Sequence, residues 1–466
     1  MQFLDGLIAA LGPDTVVTGD AIPERHLSDW SGVPPVRPLA VVSPRSTDEV
    51  AAVLRLCHAQ YVPVVPQGGL TGLAGAAVPR PDAIAISMHR MNAIEHIDNA
   101  SATMTVQAGA TLLSVHEAAA AAGFAFGMDL GSRGSCQIGG NLSTNAGGNG
   151  VVQFGMMREQ TLGLEVVLAD GTVLSMLRPM LKNNTGYDLK QWFIGAEGTL
   201  GIITRAVLRL RPAASAKATA LIALPDYDSA VTLLRQLQLR FTGSLAAFEL
   251  MWADFFTEAL TWLSVPAPIG NKHALYALVE VTGHDEHALA AVLNEALEAA
   301  MECGAASDAV VAQSLAQART LWDIRGVTAE FPTRMRPINF DVSLPVGQIG
   351  EFCERCAEAL STRWPQHRTL RFGHIGDSNL HLTTDARSLG DLTYEVAAEA
   401  VEQMVYALVA QYGGSISAEH GIGLLKKPFL AASRSGAEVE AMRAIKRALD
   451  PRNLLNPGKI FDVMNE

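Results

Sequence analysis

Two histidines set seven positions apart, in Arg371-Phe372-Gly373-His374-Ile375-Gly376-Asp377-Ser378-Asn379-Leu380-His381-Leu382, are the residues of this 466-residue chain best spaced to do chemistry. If Asp377-Ser378 is a two-residue hairpin turn, His374 pairs with His381, Ile375 with Leu380 and Gly376 with Asn379. Strand alternation then sends His374, His381 and Asn379 to one face, with opposed Cβ atoms about 5 Å apart, while Ile375 and Leu380 bury the other. Gly376 on the histidine face leaves space open there. Two imidazoles so placed can chelate one metal ion. The third ligand must come from elsewhere, and Ser415-Ile416-Ser417-Ala418-Glu419-His420-Gly421-Ile422-Gly423 supplies Glu419 beside a histidine in a polar, glycine-bounded turn. His374, His381 and Glu419 with an open position suit Zn²⁺, and also Mn²⁺, Co²⁺ or Fe²⁺, since geometry and availability rather than affinity choose between them. The bland alternative is a hydrogen-bonded cross-strand histidine pair.

A second kind of chemistry is written in glycine. Residues 131–150 are almost entirely glycine, small polar residues and amides, unable to build an ordinary core but well suited to bring backbone N–H groups close to a polyanionic or heteroaromatic ligand. A polar loop of this length in a compact domain is uncommon unless it is functional, so the stretch reads as a cofactor cradle. Two further glycine loops flank it. Pro66-Gln67-Gly68-Gly69-Leu70-Thr71-Gly72-Leu73-Ala74-Gly75 follows a strand in a β-α-β unit, and Gly195-Ala196-Glu197-Gly198-Thr199-Leu200-Gly201 feeds another strand. The first lacks the G-x-G-x-x-G order of a nicotinamide-dinucleotide fingerprint. Three such loops in one α+β region imply an extended ligand lying across them.

The elements that must position these groups are legible as a coarse pattern. Pro38-Leu39-Ala40-Val41-Val42 reads as a buried strand, Ser46 with Glu49 as a helix start running through His58, and Val62-Pro63-Val64-Val65 as the next strand. Residues 102–109 form a strand, 112–122 a helix, and 162–174 a hairpin turning at Asp170-Gly171. From Ala213 the texture becomes strands alternating with amphipathic helices, which predicts a second α+β domain. His284-Asp285-Glu286-His287 opens one of those helices and reads as a solvated first turn. Cys353 and Cys356 form a lone C-x-x-C within a helix and read as packing residues, since no second pair completes a zinc site. A formal net charge of −12 argues against general nucleic-acid affinity. The N-terminus lacks a signal-peptide pattern and no apolar run is long enough to span a bilayer, so the expectation is a cytoplasmic protein with no integral membrane segment.

The motifs PQGGLTG, IGGNLSTNAGG, LGLEVVLADGTV, NNTGYDLKQ and GAEGTLGIIT resemble the flavin domain of the vanillyl-alcohol oxidase and p-cresol methylhydroxylase superfamily, in its D-2-hydroxy-acid dehydrogenase branch. The resemblance continues to the C-terminus. It implies a two-subdomain, p-cresol-methylhydroxylase-type (PCMH-type) FAD-binding domain over 1–212, an α+β cap over 213–414 carrying the metal hairpin, and a C-terminal segment, 415–466, returning to the flavin. FAD would be held by Pro66, Gln67, Gly68, Gly69, Leu70, Thr71, Gly72 and Leu73, by Gly134, Ser135, Gly139, Gly140, Asn141, Thr144, Asn145, Gly147 and Gly148, and by Gly195, Glu197, Gly198, Gly201 and Ile203, with Asn456 at the ring. Covalent relatives often use a histidine where this chain has Gly69-Leu70-Thr71, so noncovalent FAD is expected.

For the chemistry, the same resemblance implies His374, His381 and Glu419 as metal ligands, Asn379 at the substrate and His420 as base. Residues 321–328 resemble the segment that binds the distal carboxylate in D-2-hydroxyglutarate dehydrogenases, through Arg325 and, with a one-residue gap, Thr328. Those enzymes have a lysine where this chain has Asn339, a departure that keeps D-malate and D-lactate open as substrates, with Arg334 or Arg336 as substitute cations. Electron-transfer flavoprotein or a quinone is the implied acceptor, and a homodimer is left open. Two rival readings are a flavin-free metalloenzyme on the same two histidines and Glu419, and a catalytically silent FAD-binding subunit of a larger complex.

Overall fold

Runs of alanine and β-branched residues that are apolar on both faces make buried parallel strands, and the first such runs in the chain behave so. Ala40–Val42, Ile84–Ser87 and Val64–Gln67 lie parallel, with Val16–Thr18 antiparallel at the edge. The helix Thr47–Gln60 makes the first crossover. Ser46 caps it by accepting from the Glu49 amide at 3.2 Å, Val50, Val53, Leu54 and Cys57 bury its inner stripe, and Tyr61 in the left-handed region ends it. The computed structural model describes residues 2–463. They divide into two units, one formed by 2–148, 155–213 and 419–463, the other by 149–154 and 214–418.

The first unit contains a second, five-stranded antiparallel sheet in the order Ile94–Asp98, Thr103–Gln107, Ile202–Arg209, Thr161–Val167, Val173–Met176. The last two strands form a hairpin closed at Asp170 and Gly171, whose φ of 85° only glycine takes easily. One hydrophobic core, with Val42 and Ile84 from the first sheet and Val106, Val166 and Leu208 from the second, joins the two. The helix Ile138–Ser143 lies close against this framework because Gly139 has no Cβ; one there would stand 2.7 Å from the Ala108 Cβ. The helix Gly436–Leu449, opened by a capping box of Ser435 and Glu438, brings the buried Lys446 against the same unit. Its ammonium donates to the carbonyls of Thr199 and Leu455 at 2.8 Å and pairs with the fully buried Asp450 carboxylate at 2.5 Å.

The second unit is one seven-stranded antiparallel sheet in the order Asp308–Val311, Ala216–Leu224, Leu275–Gly283, Leu245–Trp252, Thr369–Gly373, Asn379–Asp385, Pro337–Ser343. Helices Ala253–Leu263 and Leu315–Arg325 pack with the sheet in a core centred on Phe255, Phe256, Tyr276 and Phe372. Asp285 caps the helix Glu286–Glu302 by accepting from the Ala288 amide, which is why the His284 to His287 stretch opens a helix. Cys353 and Cys356 are buried in the helix Ile349–Arg363. Burial pushes the Cys356 thiol up to about 12 against the opposing pull of Arg371, so the pair is inert packing at neutral pH. Among the described residues no helix is long and apolar enough to cross a membrane.

The Lys446 cluster yields a stability prediction. Lys446→Ala leaves Asp450 buried without its counter-charge, and removing one partner of a buried ion pair costs about 3 to 5 kcal/mol. Urea denaturation at neutral pH should show that loss as a lower midpoint with an unchanged slope.

Candidate functional site

In the first unit the glycine loops converge on one cavity. All of Pro66 to Leu73 line it, with Gly139, Gly140, Asn141, Thr144 and Gly147 from the second loop, and Glu197, Gly198, Gly201 and Ile203 from the third. Glu419 and His420 line it as well. The amides of Gly69, Leu70, Thr71 and Gly72 donate to no acceptor among the described residues, and Leu70 is left-handed at φ 60°. Successive free amides in such a turn make an anion-binding nest. Gly69 must be glycine, because a Cβ would stand 2.1 Å from the Ser135 carbonyl oxygen. Gly140 is different: a Cβ there meets nothing within 4 Å, so the space it leaves belongs to the cavity.

Other residues expected at the cofactor build the walls instead of lining them. Ser135 packs under Gly69, and a Cβ on Gly148 would stand 1.9 Å from the Asp129 carbonyl oxygen. Asn145, left-handed at φ 49°, accepts the Arg158 amide on its side chain at 2.9 Å. Gly195 turns at φ 82° and donates to the Leu142 carbonyl at 2.9 Å. Gly134 makes no close approach. Asn456, also left-handed, donates from Nδ2 to the carbonyls of Ala76 and Glu197 at 3.0 and 2.7 Å, and its buried Oδ1 has no partner among the described residues. Sequence reasoning missed Gln137, which lines the cavity with a buried and unpartnered Oε1. It also missed the apolar lining of Met88, Leu130 and Ile202, because apolar residues in strands and loops carry no cofactor signal of their own. Free amides, an unpartnered acceptor and apolar walls fit a ligand with a pyrophosphate and a heteroaromatic ring, as FAD has.

The turn that bears Glu419 and His420 is held through Glu197. Its carboxylate accepts the amides of Ile422 and Gly423 at 2.7 and 2.8 Å, and a Cβ on Gly421 would stand 2.8 Å from it. Burial pushes this carboxyl above its usual range although the two amides pull it down. Lys459 ties the following segment to the carbonyls of Gly75 and Val78, both at 2.8 Å.

In the second unit the histidines sit on the strand Asn379–Asp385 and just before it, with a register that differs from the two-residue hairpin. His381 pairs with Phe372, not with His374. A short 3₁₀ turn, Ile375–Asp377, and a left-handed Ser378 at φ 76° connect the strands, and the Asn379 amide donates back to the His374 carbonyl at 3.1 Å. The slip is two residues, so the two rings still meet, 5.3 Å apart and edge to face. Gly376 leaves no open space either, since a Cβ there would stand 3.0 Å from Val152. His374 and Asn379 are buried. Asn379 donates from Nδ2 to Asp341 at 2.7 Å, and its Oδ1 has no partner among the described residues.

Behind His374 stands a residue that sequence reasoning missed. Glu249 accepts from His374 Nδ1 at 2.6 Å on one oxygen and from Arg325 Nε at 2.8 Å on the other. Burial alone would raise its carboxyl; the facing imidazole and guanidinium outweigh that and hold it below the usual range. Arg325 is therefore buried in an ion pair, stacked over Phe372. Thr328 is half-buried on the following 3₁₀ turn. Asn339 accepts from Thr383 at 2.9 Å. Arg334 faces Glu330 at 3.8 Å and Arg336 covers the Tyr394 ring. Only a charge-pattern search across 125 positions of sequence separation could have found Glu249.

A glycine-loop cradle on paired α+β sheets, followed by a seven-stranded antiparallel unit, is a fold shared with a solved p-cresol methylhydroxylase structure, with a TM-score of 0.80, covering 100% of this chain and 97% of that one at 16% identity. The chain belongs to the FAD-linked oxidase family: residues 213–460 match the model for FAD linked oxidases, C-terminal domain, and 38–176 the FAD binding domain. It is 40% identical to a D-2-hydroxyglutarate dehydrogenase of Xanthomonas citri pv. viticola over 94% of this chain and 92% of that protein. It is 36% identical to one of Stutzerimonas stutzeri over 98% of each. It is thus an FAD-dependent dehydrogenase.

The cradle gives a direct test. Gly140→Leu places a side chain in the open space at a helical position that tolerates leucine better than glycine. The purified variant should keep its far-UV dichroism and lose the yellow flavin absorbance.

Proposed function

We propose that this chain oxidises a D-2-hydroxy acid to the 2-oxo acid, with His374, His381 and Glu419 holding a divalent metal, Zn²⁺ first and Mn²⁺, Co²⁺ or Fe²⁺ as alternatives, and His420 as the base. FAD in the cradle supplies a two-electron acceptor for the hydride leaving Cα. A divalent ion supplies a Lewis acid for the substrate's hydroxyl and carboxylate oxygens. What supports the ligand set is the pair of imidazoles that meets within the second unit, ring centroids 5.3 Å apart, with Glu419 as the carboxylate that the sequence offers. Adjacent side chains in a turn can serve one site and point at different atoms, so His420 is assigned to take the hydroxyl proton. Asn379, with its free Oδ1, orients the substrate.

D-2-Hydroxyglutarate is the first candidate substrate, supported by the names of the relatives. Asn339 favours a second reading, D-malate or D-lactate, because no lysine stands there to meet a distal carboxylate. The acceptor we assign is electron-transfer flavoprotein or a quinone, and the location cytoplasmic.

The test is an anaerobic panel of D-2-hydroxy acids against the yellow protein. Flavin absorbance should bleach with one or more of the three; colour that no candidate bleaches makes the chain a silent FAD-binding subunit. His381→Ala should lose metal and substrate-driven bleaching while retaining FAD, and unchanged metal by elemental analysis overturns the ligand assignment. His420→Asn should keep FAD and metal and slow flavin reduction by about 10² to 10⁴-fold, the usual share of positioned proton transfer. A stopped-flow rate equal to wild type would place the proton elsewhere.

A further inference from the structure

The geometry points to Glu249 as a positioning residue for His374, with Arg325 as its counter-charge; we infer that Arg325 acts on the metal centre through Glu249. This rests on the metal reading above. Three observations carry it. The strand Leu245–Trp252 pairs with Thr369–Gly373 so that Leu250 lies opposite Gly373, and the same register places Glu249 opposite His374. The two side chains meet at 2.6 Å, with Glu249 1% exposed and His374 9% exposed at the side chain. The second carboxylate oxygen is taken by Arg325 Nε at 2.8 Å.

A carboxylate only accepts, so His374 Nδ1 carries a proton, and in the neutral ring Nε2 would be the nitrogen with the lone pair. That tautomer is the one a metal needs at Nε2, and a carboxylate on the far nitrogen also fixes the ring plane. Arg325 makes the arrangement tenable, because a carboxylate this deep requires a second strong donor. With its Nε committed to Glu249 and its plane over Phe372 at 4.7 Å, the guanidinium is held by the second unit's own core.

The experiment uses the purified FAD-loaded protein and zinc ion as the probe, with its dissociation constant read by competition against a chromophoric chelator. Glu249→Gln should weaken zinc about 10 to 100-fold, the usual cost of removing such a partner, at an unchanged FAD to protein ratio. Glu249→Asp, which keeps the charge, should restore part of the affinity. Arg325→Met should weaken zinc as well, and the Glu249→Gln/Arg325→Met double variant should lose less than the product of the two single losses, because both act through one contact. Arg325→Met should also raise KM for D-2-hydroxyglutarate and D-lactate by similar factors. Equal zinc affinity in wild type and Glu249→Gln overturns the inference while leaving the metal reading intact. A KM penalty confined to the dicarboxylate returns Arg325 to substrate recognition. Wild-type protein that binds no zinc overturns both.

Discussion

Glu197 is the residue on which the first unit's function hangs. Its backbone is left-handed inside the third glycine loop, with its amide on the Ser143 carbonyl at 2.7 Å and its own carbonyl taken by Asn456 at 2.7 Å. Its carboxylate, buried and bound to two successive amides, grips the turn that follows His420. One residue therefore belongs to the cofactor cradle by its main chain and to the turn of Glu419 and His420 by its side chain. Strained backbone of this kind persists where surrounding contacts over-determine it, and here the strain is repeated at Leu70, Asn145 and Asn456 around the same cavity. The free amides of the first loop complete the picture: main chain, not side chain, is what the cradle offers an anionic ligand.

The second unit solves a different problem, that of holding two imidazoles in a dry sheet. Antiparallel alternation puts His381, Asp341 and Phe372 in one row. The Phe372 ring lies 5.0 Å from His381 and also carries the Arg325 guanidinium. Glu249 faces His374 from the neighbouring strand and Asp341 holds Asn379 from the other side. Each polar group that reaches the site is thus fixed by a buried partner, which is how a low-dielectric interior keeps polar side chains in one geometry.

The histidine segment also shows why sequence reasoning survives some errors. A slip of one residue would have turned His381 to the opposite face; a slip of two keeps every side chain on its own face. The hairpin inferred from spacing had the turn wrong by two positions, since a short 3₁₀ turn replaces a two-residue loop, yet His374 and His381 still meet. The cost fell on Gly376, which packs against Val152 instead of opening the site.

What the sequence by itself determined is local and periodic. Glycine-rich loops after apolar strands, the Ser46 cap, the Asp170-Gly171 turn and the alternation that brings two histidines together all depend on residues a few positions apart, where backbone sterics and side-chain period act directly. What only the tertiary structure decided is which distant groups satisfy buried charges. Glu249 lies 125 positions from His374, and Glu197 lies 225 from Ile422. Nothing near Glu249 marks it, and the motif around Glu197 points to the cofactor and not to the Ile422 and Gly423 amides, because a glutamate in an apolar strand or a glycine loop is defined by the donors that folding brings to it. Arg325 shows the same limit: its type announces a cation for an anion, but the buried carboxylate that its Nε meets comes from a strand that only folding packs beside it, where an unpaired buried charge would cost more than folding could spare.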